Sequence, residues 1–147
     1  MNGSPYLFLH VDGLEKQGFS GSYCNSGEAK AILQLVQNLK VLSDSNNIAW
    51  HSPEKIRIIT FYQAQVSLIK RMLTDCGLGR IVVATVDSSQ GCEADIVIIS
   101  FVRSNSRGNH SAAGFLADDR RLNVALTRAK YQLICVGNVR GLQKMTA

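Results

Sequence analysis

Two arginines seven positions apart, Arg121 and Arg128, stand in the run Arg120-Arg121-Leu122-Asn123-Val124-Ala125-Leu126-Thr127-Arg128-Ala129-Lys130. A guanidinium is a planar fork that donates two parallel hydrogen bonds and keeps its charge, so such a pair suits phosphate. Wound as a helix, the run places Leu122, Ala125, Leu126 and Ala129 at i, i+3, i+4 and i+7, a stripe that faces a core. Arg121 and Arg128 then lie one above the other beside that stripe, able to reach across a cleft. Asp118 or Asp119 can cap the start and complement the helix dipole. The same pattern also fits a surface helix whose arginines are simply solvated. A second chemical stretch is Thr85-Val86-Asp87-Ser88-Ser89-Gln90-Gly91-Cys92-Glu93. Gly91 lets the backbone approach a ligand closely, and Ser88, Ser89 and Gln90 offer hydrogen bonds to sugar or phosphate. Taken alone, it also reads as a polar turn.

These residues need elements to hold them. Tyr6–Val11, Ile56–Phe61, Ile81–Val86, Ile96–Phe101 and Tyr131–Val136 are rich in strand formers. The third and fourth are near-continuous apolar runs, which suit parallel strands buried on both faces. Asn25-Ser26-Gly27-Glu28 reads as a helix start, a capping side chain followed three residues on by Glu. Ile32, Leu35, Val36, Leu39 and Leu42 give that helix its apolar face. A second helix runs from about Gln63 to Asp75, with Val66, Ile69, Met72 and Leu73 inward, and Gly77 stops it. Trp50 anchors the intervening loop, Ser104 to Ala117 is a long polar loop, and a short tail helix lies around Leu142 and Met145. The alternation predicts an α/β fold with a mostly parallel sheet covered by helices. Ligands of such sheets gather beyond the carboxyl ends of the strands. The candidates there are the loops at 61–65, 86–93 and 103–119, with the arginine helix.

The 147 residues suit one domain, and 46% hydrophobic content supplies its core without staples. Sixteen Lys and Arg against eleven Asp and Glu give a net charge of +5, which favours a polyanionic partner mildly. Cys24, Cys76, Cys92 and Cys135 form no Cys-x-x-Cys pair, and His10, His51 and His110 are scattered, so no zinc site is expected and the thiols read as reduced. The first residues lack a charged region followed by a long apolar run, so no signal peptide is expected, and no apolar run approaches the ~20 residues that span a bilayer. An intracellular protein, cytoplasmic or nuclear, is the expectation. No Gly-x-Gly-x-x-Gly follows a strand, which argues against a dinucleotide-binding dehydrogenase.

The segments Thr85–Glu93, Asp95–Asn105, Gly114–Leu116, Arg120–Lys130 and Val136–Asn138 come in one order at close spacing. They resemble the second RecA-like domain of superfamily 1 helicases of the Upf-like group. That family's patterns read T-V-D-x-x-Q-G-x-E and R-R-L-N-V-A-L-T-R-A, the latter reproduced here unchanged. Upstream, Ile58–Gln65 is similar to its I-T-P-Y-x-x-Q segment and Ser22–Ala29 to its S-x-x-N-x-x-E-A. The resemblance covers nearly the whole chain, 1–147, and implies a RecA-like three-layer sandwich with helices on both faces.

By that resemblance, Arg128 matches the arginine that reaches the γ-phosphate of ATP held between two RecA-like domains, with Arg121 either bracing it or packing. Glu93 matches the acid that hydrogen-bonds the ribose, with Gly91 and Gln90 beside it. Thr60, Tyr62, Gln65, Thr85 and Ser88 match positions that hold the backbone of single-stranded RNA or DNA; packing or turn formation is as open for each. Glu28 reads as a cap. Three positions depart from the family: Phe61 replaces a proline, loosening that turn, and Cys92 and Ala94 replace cations near the cleft. The chain has no Gly-x-x-x-x-Gly-Lys-Ser/Thr loop and no acidic pair for Mg²⁺. ATP and Mg²⁺ are therefore expected in a larger parent enzyme, bound mainly by a first RecA-like domain that is the partner of this one. The fragment alone is expected to be inactive and to hold no metal. The alternative is a non-catalytic helicase-like module used for nucleic-acid or protein docking.

Overall fold

A computed structural model of the chain describes residues 6–13, 15–17, 21–45, 55–89, 93–102, 125 and 127–138. Among the described residues these strands and helices follow in chain order: β1 Tyr6–His10, β2 Lys16–Gln17, β3 Tyr23–Cys24, α1 Ser26–Ser45, β4 Ile56–Thr60, α2 Gln63–Asp75, β5 Val82–Thr85, β6 Ala94–Ser100 and β7 Ala129–Gly137. A short 3₁₀ turn, Asp87–Ser89, follows β5. Five strands form one sheet in the order β1-β7-β6-β4-β5, and every pairing in it is parallel. β2 and β3 form a separate small antiparallel pair. The sheet is the α/β RecA-like arrangement.

Side-chain alternation divides the core between two sheet faces. Ile56, Ile58, Val83, Ile98, Ile134 and Val136 pack with α1 and α2 on one face. Ile59, Val97, Ile99, Leu133 and Cys135 pack with Ala125 on the other. Each fully buried aliphatic side chain stabilises the fold by roughly 1.5–3 kcal/mol. Burial pushes the Cys135 thiol up to about 12, so it behaves as a small hydrophobe. In α1 the inward stripe is Ala29, Ile32 and Val36; Leu42, expected on that stripe, is exposed instead. In α2 the stripe is Val66, Ile69 and Leu73, and Gln65 joins it.

Gly77 ends α2 with a φ of 75°. The Leu78 N–H donates to the Leu73 carbonyl at 2.7 Å and the Gly77 N–H to Thr74 at 3.1 Å. These two bonds satisfy carbonyls that the helix end leaves open, and Leu78 packs into the first core. Among the described residues no helix is long and apolar enough to cross a membrane.

The arginine segment departs from the helix its spacing predicts. That helix does not reach Lys130: Ala129 and Lys130 already belong to β7, and Thr127 and Arg128 form the turn before it. The Arg128 N–H closes that turn on the Ala125 carbonyl at 3.3 Å. The Ala94 N–H needs a ladder acceptor, and the Arg128 carbonyl supplies it. Ala129 is small enough to satisfy a helix stripe or a strand pair, which is why the stripe overran. Trp50, the 104–117 loop and the tail around Leu142 and Met145 lie outside the described residues.

Candidate functional site

The expected site residues fall at opposite ends of the parallel strands. Glu93 immediately precedes β6 and Arg128 immediately precedes β7, so both stand at the amino end of the sheet. Ala94 pairs with Ala129, and the Ala94 N–H donates to the Arg128 carbonyl at 3.0 Å. That register makes Glu93 and Arg128 neighbours although 35 positions of sequence separate them (128 − 93). Glu93 is exposed and Arg128 half-buried. The Arg128 Nη2 donates to the Thr127 hydroxyl at 3.3 Å. The expectation that all candidates gather at carboxyl ends is thus corrected for these two. The segment 86–93 leaves the carboxyl end of β5 and arrives at the amino end of β6, so its two ends are far apart. Gln90, Gly91 and Arg121 lie outside the described residues.

Thr60, Thr85 and Ser100 close β4, β5 and β6 at the carboxyl end, with Thr60 in register with both others. At ~3.3 Å per residue, the length of β6 separates this end from Arg128 by roughly 20 Å. Thr85 and Ser88 hold each other: their hydroxyl oxygens are 2.7 Å apart, and the Ser88 N–H donates to Thr85 Oγ1 at 3.3 Å. This local competition with the ladder starts the 3₁₀ turn. Ser88 is exposed and Thr85 half-buried. Tyr62, half-buried at the start of α2, meets the Tyr23 ring edge-on at 5.4 Å. The Ala64 N–H donates to Ser22 Oγ at 3.1 Å, so the β2–β3 pair is tied to the same turn.

Thr60 and Gln65 face inward, each with no exposed surface. Neither side chain can touch a solvent-borne ligand in this geometry. Thr60 Oγ1 donates to the Ser100 carbonyl at 2.8 Å. Gln65 Nε2 donates to Ser100 Oγ at 3.0 Å and to the Asn25 carbonyl at 3.1 Å, and Gln65 Oε1 accepts the Asn25 N–H at 2.9 Å. Ser100 Oγ in turn donates to Glu28 Oε1 at 2.8 Å. Asn25, Glu28, Thr60, Gln65 and Ser100 are the buried polar residues among those described, and they form one connected network.

Glu28 is more than a cap. The Glu28 N–H does donate to Asn25 Oδ1 at 3.1 Å, as an N-cap requires. A reciprocal capping box would return the carboxylate to the Asn25 N–H. Gln65 takes that N–H, and the Glu28 carboxylate turns to Ser100 and to the Val102 N–H at 2.9 Å. Asn25 Nδ2 shares its two protons among the Gly13 carbonyl at 3.1 Å, the Val102 carbonyl at 3.1 Å and Glu28 Oε2 at 3.3 Å. Burial pushes the Glu28 carboxyl up to about 7; hydrogen bonds from Val102, Ser100 and Phe101 pull the other way, and the charge of Glu15 adds to the rise.

The AAA domain family matches residues 1–140. DNA polymerase alpha-associated DNA helicase A of Saccharomyces cerevisiae is 40% identical over 125 residues, 84% of this chain and 17% of that protein. Regulator of nonsense transcripts 1 of Caenorhabditis elegans is 38% identical over 147 residues, 95% of this chain and 13% of its own length. DNA replication ATP-dependent helicase/nuclease DNA2 of Mus musculus is 36% identical over 143 residues, 96% of this chain and 13% of its own. The chain belongs to the Upf-like superfamily 1 helicases. It spans less than a fifth of the length of these relatives.

In this member of the Upf-like family two of the three departures from the family pattern can be placed in the fold; Cys92 lies outside the described residues. The Phe61 ring is buried on the second core face, 5.7 Å from the Phe101 ring. Ala94 is fully buried there too, so at this position the residue packs the core. Sequence reasoning missed that Asn25, Ser100 and Val102 gather around Glu28. Ser100 is the one hydroxyl in Ile96-Val97-Ile98-Ile99-Ser100, and a polar residue ending a doubly buried strand is the signal that could have found it.

Proposed function

We propose that this chain is the second RecA-like domain of an ATP-dependent RNA or DNA helicase and completes a nucleotide site with its Arg128 and Glu93. In this reading Arg128 reaches the γ-phosphate and stabilises the charge of the transition state, while Glu93 accepts a hydrogen bond from a ribose hydroxyl. The supporting observation is the Ala94–Ala129 pairing, which sets a cationic fork and a carboxylate on neighbouring strands at one end of the sheet. A half-buried arginine and an exposed glutamate at one rim suit a ligand with both phosphate and sugar hydroxyls. ATP with Mg²⁺ supplies the reactive phosphoanhydride and is held mainly by a partner domain carrying the phosphate loop. Gln90, Gly91 and Arg121 join this site by family resemblance. This chain's own part is to present a fixed positive charge from the turn that Ala125 and Arg128 close.

The carboxyl end is the track for single-stranded nucleic acid. Tyr62, Thr85 and Ser88 supply its accessible groups, a ring and two hydroxyls that suit a base face and a phosphate backbone. Thr60 and Gln65 contribute by bracing the backbone under them. The test is nucleic-acid-stimulated ATP turnover of the intact protein after Arg128→Ala. An arginine finger of this kind is worth roughly 10³–10⁵ in turnover. Near-normal turnover in the variant overturns the reading.

A further inference from the structure

Val102 stands two residues beyond β6 with a φ of 65°, the positive-φ residue other than glycine among those described. That conformation is strained for a β-branched side chain, and it persists only where the surroundings hold it. Both polar groups of the Val102 backbone are held. Its N–H donates to Glu28 Oε1 at 2.9 Å, and its carbonyl accepts from Asn25 Nδ2 at 3.1 Å. The holders are themselves fixed. Ser100 grips the same Glu28 oxygen at 2.8 Å, and Gln65 grips the Asn25 backbone on both its N–H and its carbonyl. Gly13 lies so close to Asn25 that a Cβ there would collide with Oδ1.

We propose that Glu28, acting with Asn25, is a positioning residue: it holds Val102 in the left-handed conformation and so sets where the chain leaves the carboxyl end of β6, beside Thr60. The inference rests on the reading of that end as the nucleic-acid track. A plain cap needs only the Asn25 side chain and the Glu28 N–H, and both are already satisfied without the carboxylate. Instead, two donors, the Ser100 hydroxyl and the Val102 N–H, converge on one Glu28 carboxyl oxygen. Its reach from a helix on one face of the sheet to the backbone past a central strand joins two elements that sequence leaves 74 positions apart.

The test uses the intact protein and two probes, fluorescent oligouridylate and oligodeoxythymidylate, read by anisotropy, with stimulated ATP turnover in parallel. Glu28→Ala is expected to weaken binding of the preferred probe about tenfold, with turnover at saturating probe changed less than about twofold. Glu28→Gln keeps an acceptor for the Val102 N–H and is expected to bind close to wild type. Glycine adopts positive φ without strain, so adding Val102→Gly to Glu28→Ala is expected to restore most of the lost affinity. A merely structural role for Glu28 would not be relieved by changing a backbone preference at 102. Wild-type binding by Glu28→Ala, or a loss that Val102→Gly leaves untouched, overturns the proposal. Should Glu28→Ala not fold, a cooperative melt regained in the double variant sustains the proposal, and a double variant that stays unfolded overturns it. If the wild type binds neither probe, the track reading fails by itself. Hydrogen exchange at the Val102 amide then decides the clamp: faster exchange in Glu28→Ala sustains it, and unchanged protection overturns it.

Discussion

The carbonyl oxygen of Arg128 accepts the backbone N–H of Ala94 at 3.0 Å. A ladder bond therefore fixes the backbone from which the guanidinium extends, and the side chain starts from a rigid base. Arg128→Lys keeps the charge and removes the fork. Losing one charge-assisted hydrogen bond, about 1.5–3 kcal/mol, corresponds to roughly a 10- to 150-fold slower step. Stimulated ATP turnover of the intact protein is expected to fall within that span, with the thermal midpoint as the control. Turnover equal to wild type would show that charge alone suffices and that the fork geometry is idle.

Glu28 sets a pH dependence whose sign follows from its environment. Its carboxyl titrates at about 7 in the fold against 4.5 in the ordinary case. The fold thus favours the neutral acid. The contribution is fully present below about pH 4.5 and is lost as the pH rises through about 7, a difference on the order of 3 kcal/mol. Denaturant unfolding of wild type and Glu28→Gln, compared between about pH 5 and pH 8, is expected to show the wild type losing ground as pH rises. A gap independent of pH would refute this account.

Ser100 is the hub of the buried network. Ser100→Ala removes a donor from Glu28 Oε1 and an acceptor from Gln65 Nε2 at once. An unsatisfied buried partner costs about 1–3 kcal/mol, so the urea midpoint is expected to drop accordingly. A neutral substitution would mean that Glu28 and Gln65 find each other or water when the hydroxyl is gone.

Gly77→Ala tests the end of α2 in isolation. A Cβ there meets nothing within 4 Å, so the effect is that of the backbone alone. Holding φ at 75° with a side chain costs roughly 1–2 kcal/mol. Gly77→Asn is expected to cost less, since asparagine tolerates this region better. Equal thermal midpoints for glycine and alanine would place the stop signal elsewhere.

Periodicity made much of the fold legible. Ile56–Thr60, Ala94–Ser100 and Gln63–Asp75 stand where strand formers and helix spacing put them. The failures share a cause, competition from distant partners. Ala129 fits a helix stripe as well as a strand, and only the unmet N–H of Ala94 decides for the strand. Glu28 has the spacing of a capping box, and only the arrival of Gln65, 40 positions from Asn25, frees its carboxylate. For Thr60 and Gln65 the sequence leaves ligand contact and packing equally open, because a polar residue turned inward and one turned outward have the same letter; both are turned inward. The adjacency of Glu93 and Arg128 is a matter of register, which no local pattern contains.

β6 begins beside Glu93 and ends at Ser100, and β7 begins beside Arg128 and runs alongside it. The β6–β7 ladder shifts register between Ala94 and Ile96 and is continuous from there to Ser100, so one sheet joins the two rims. If the two rims are the phosphate and polynucleotide sites proposed above, this single sheet is the lever arm between them.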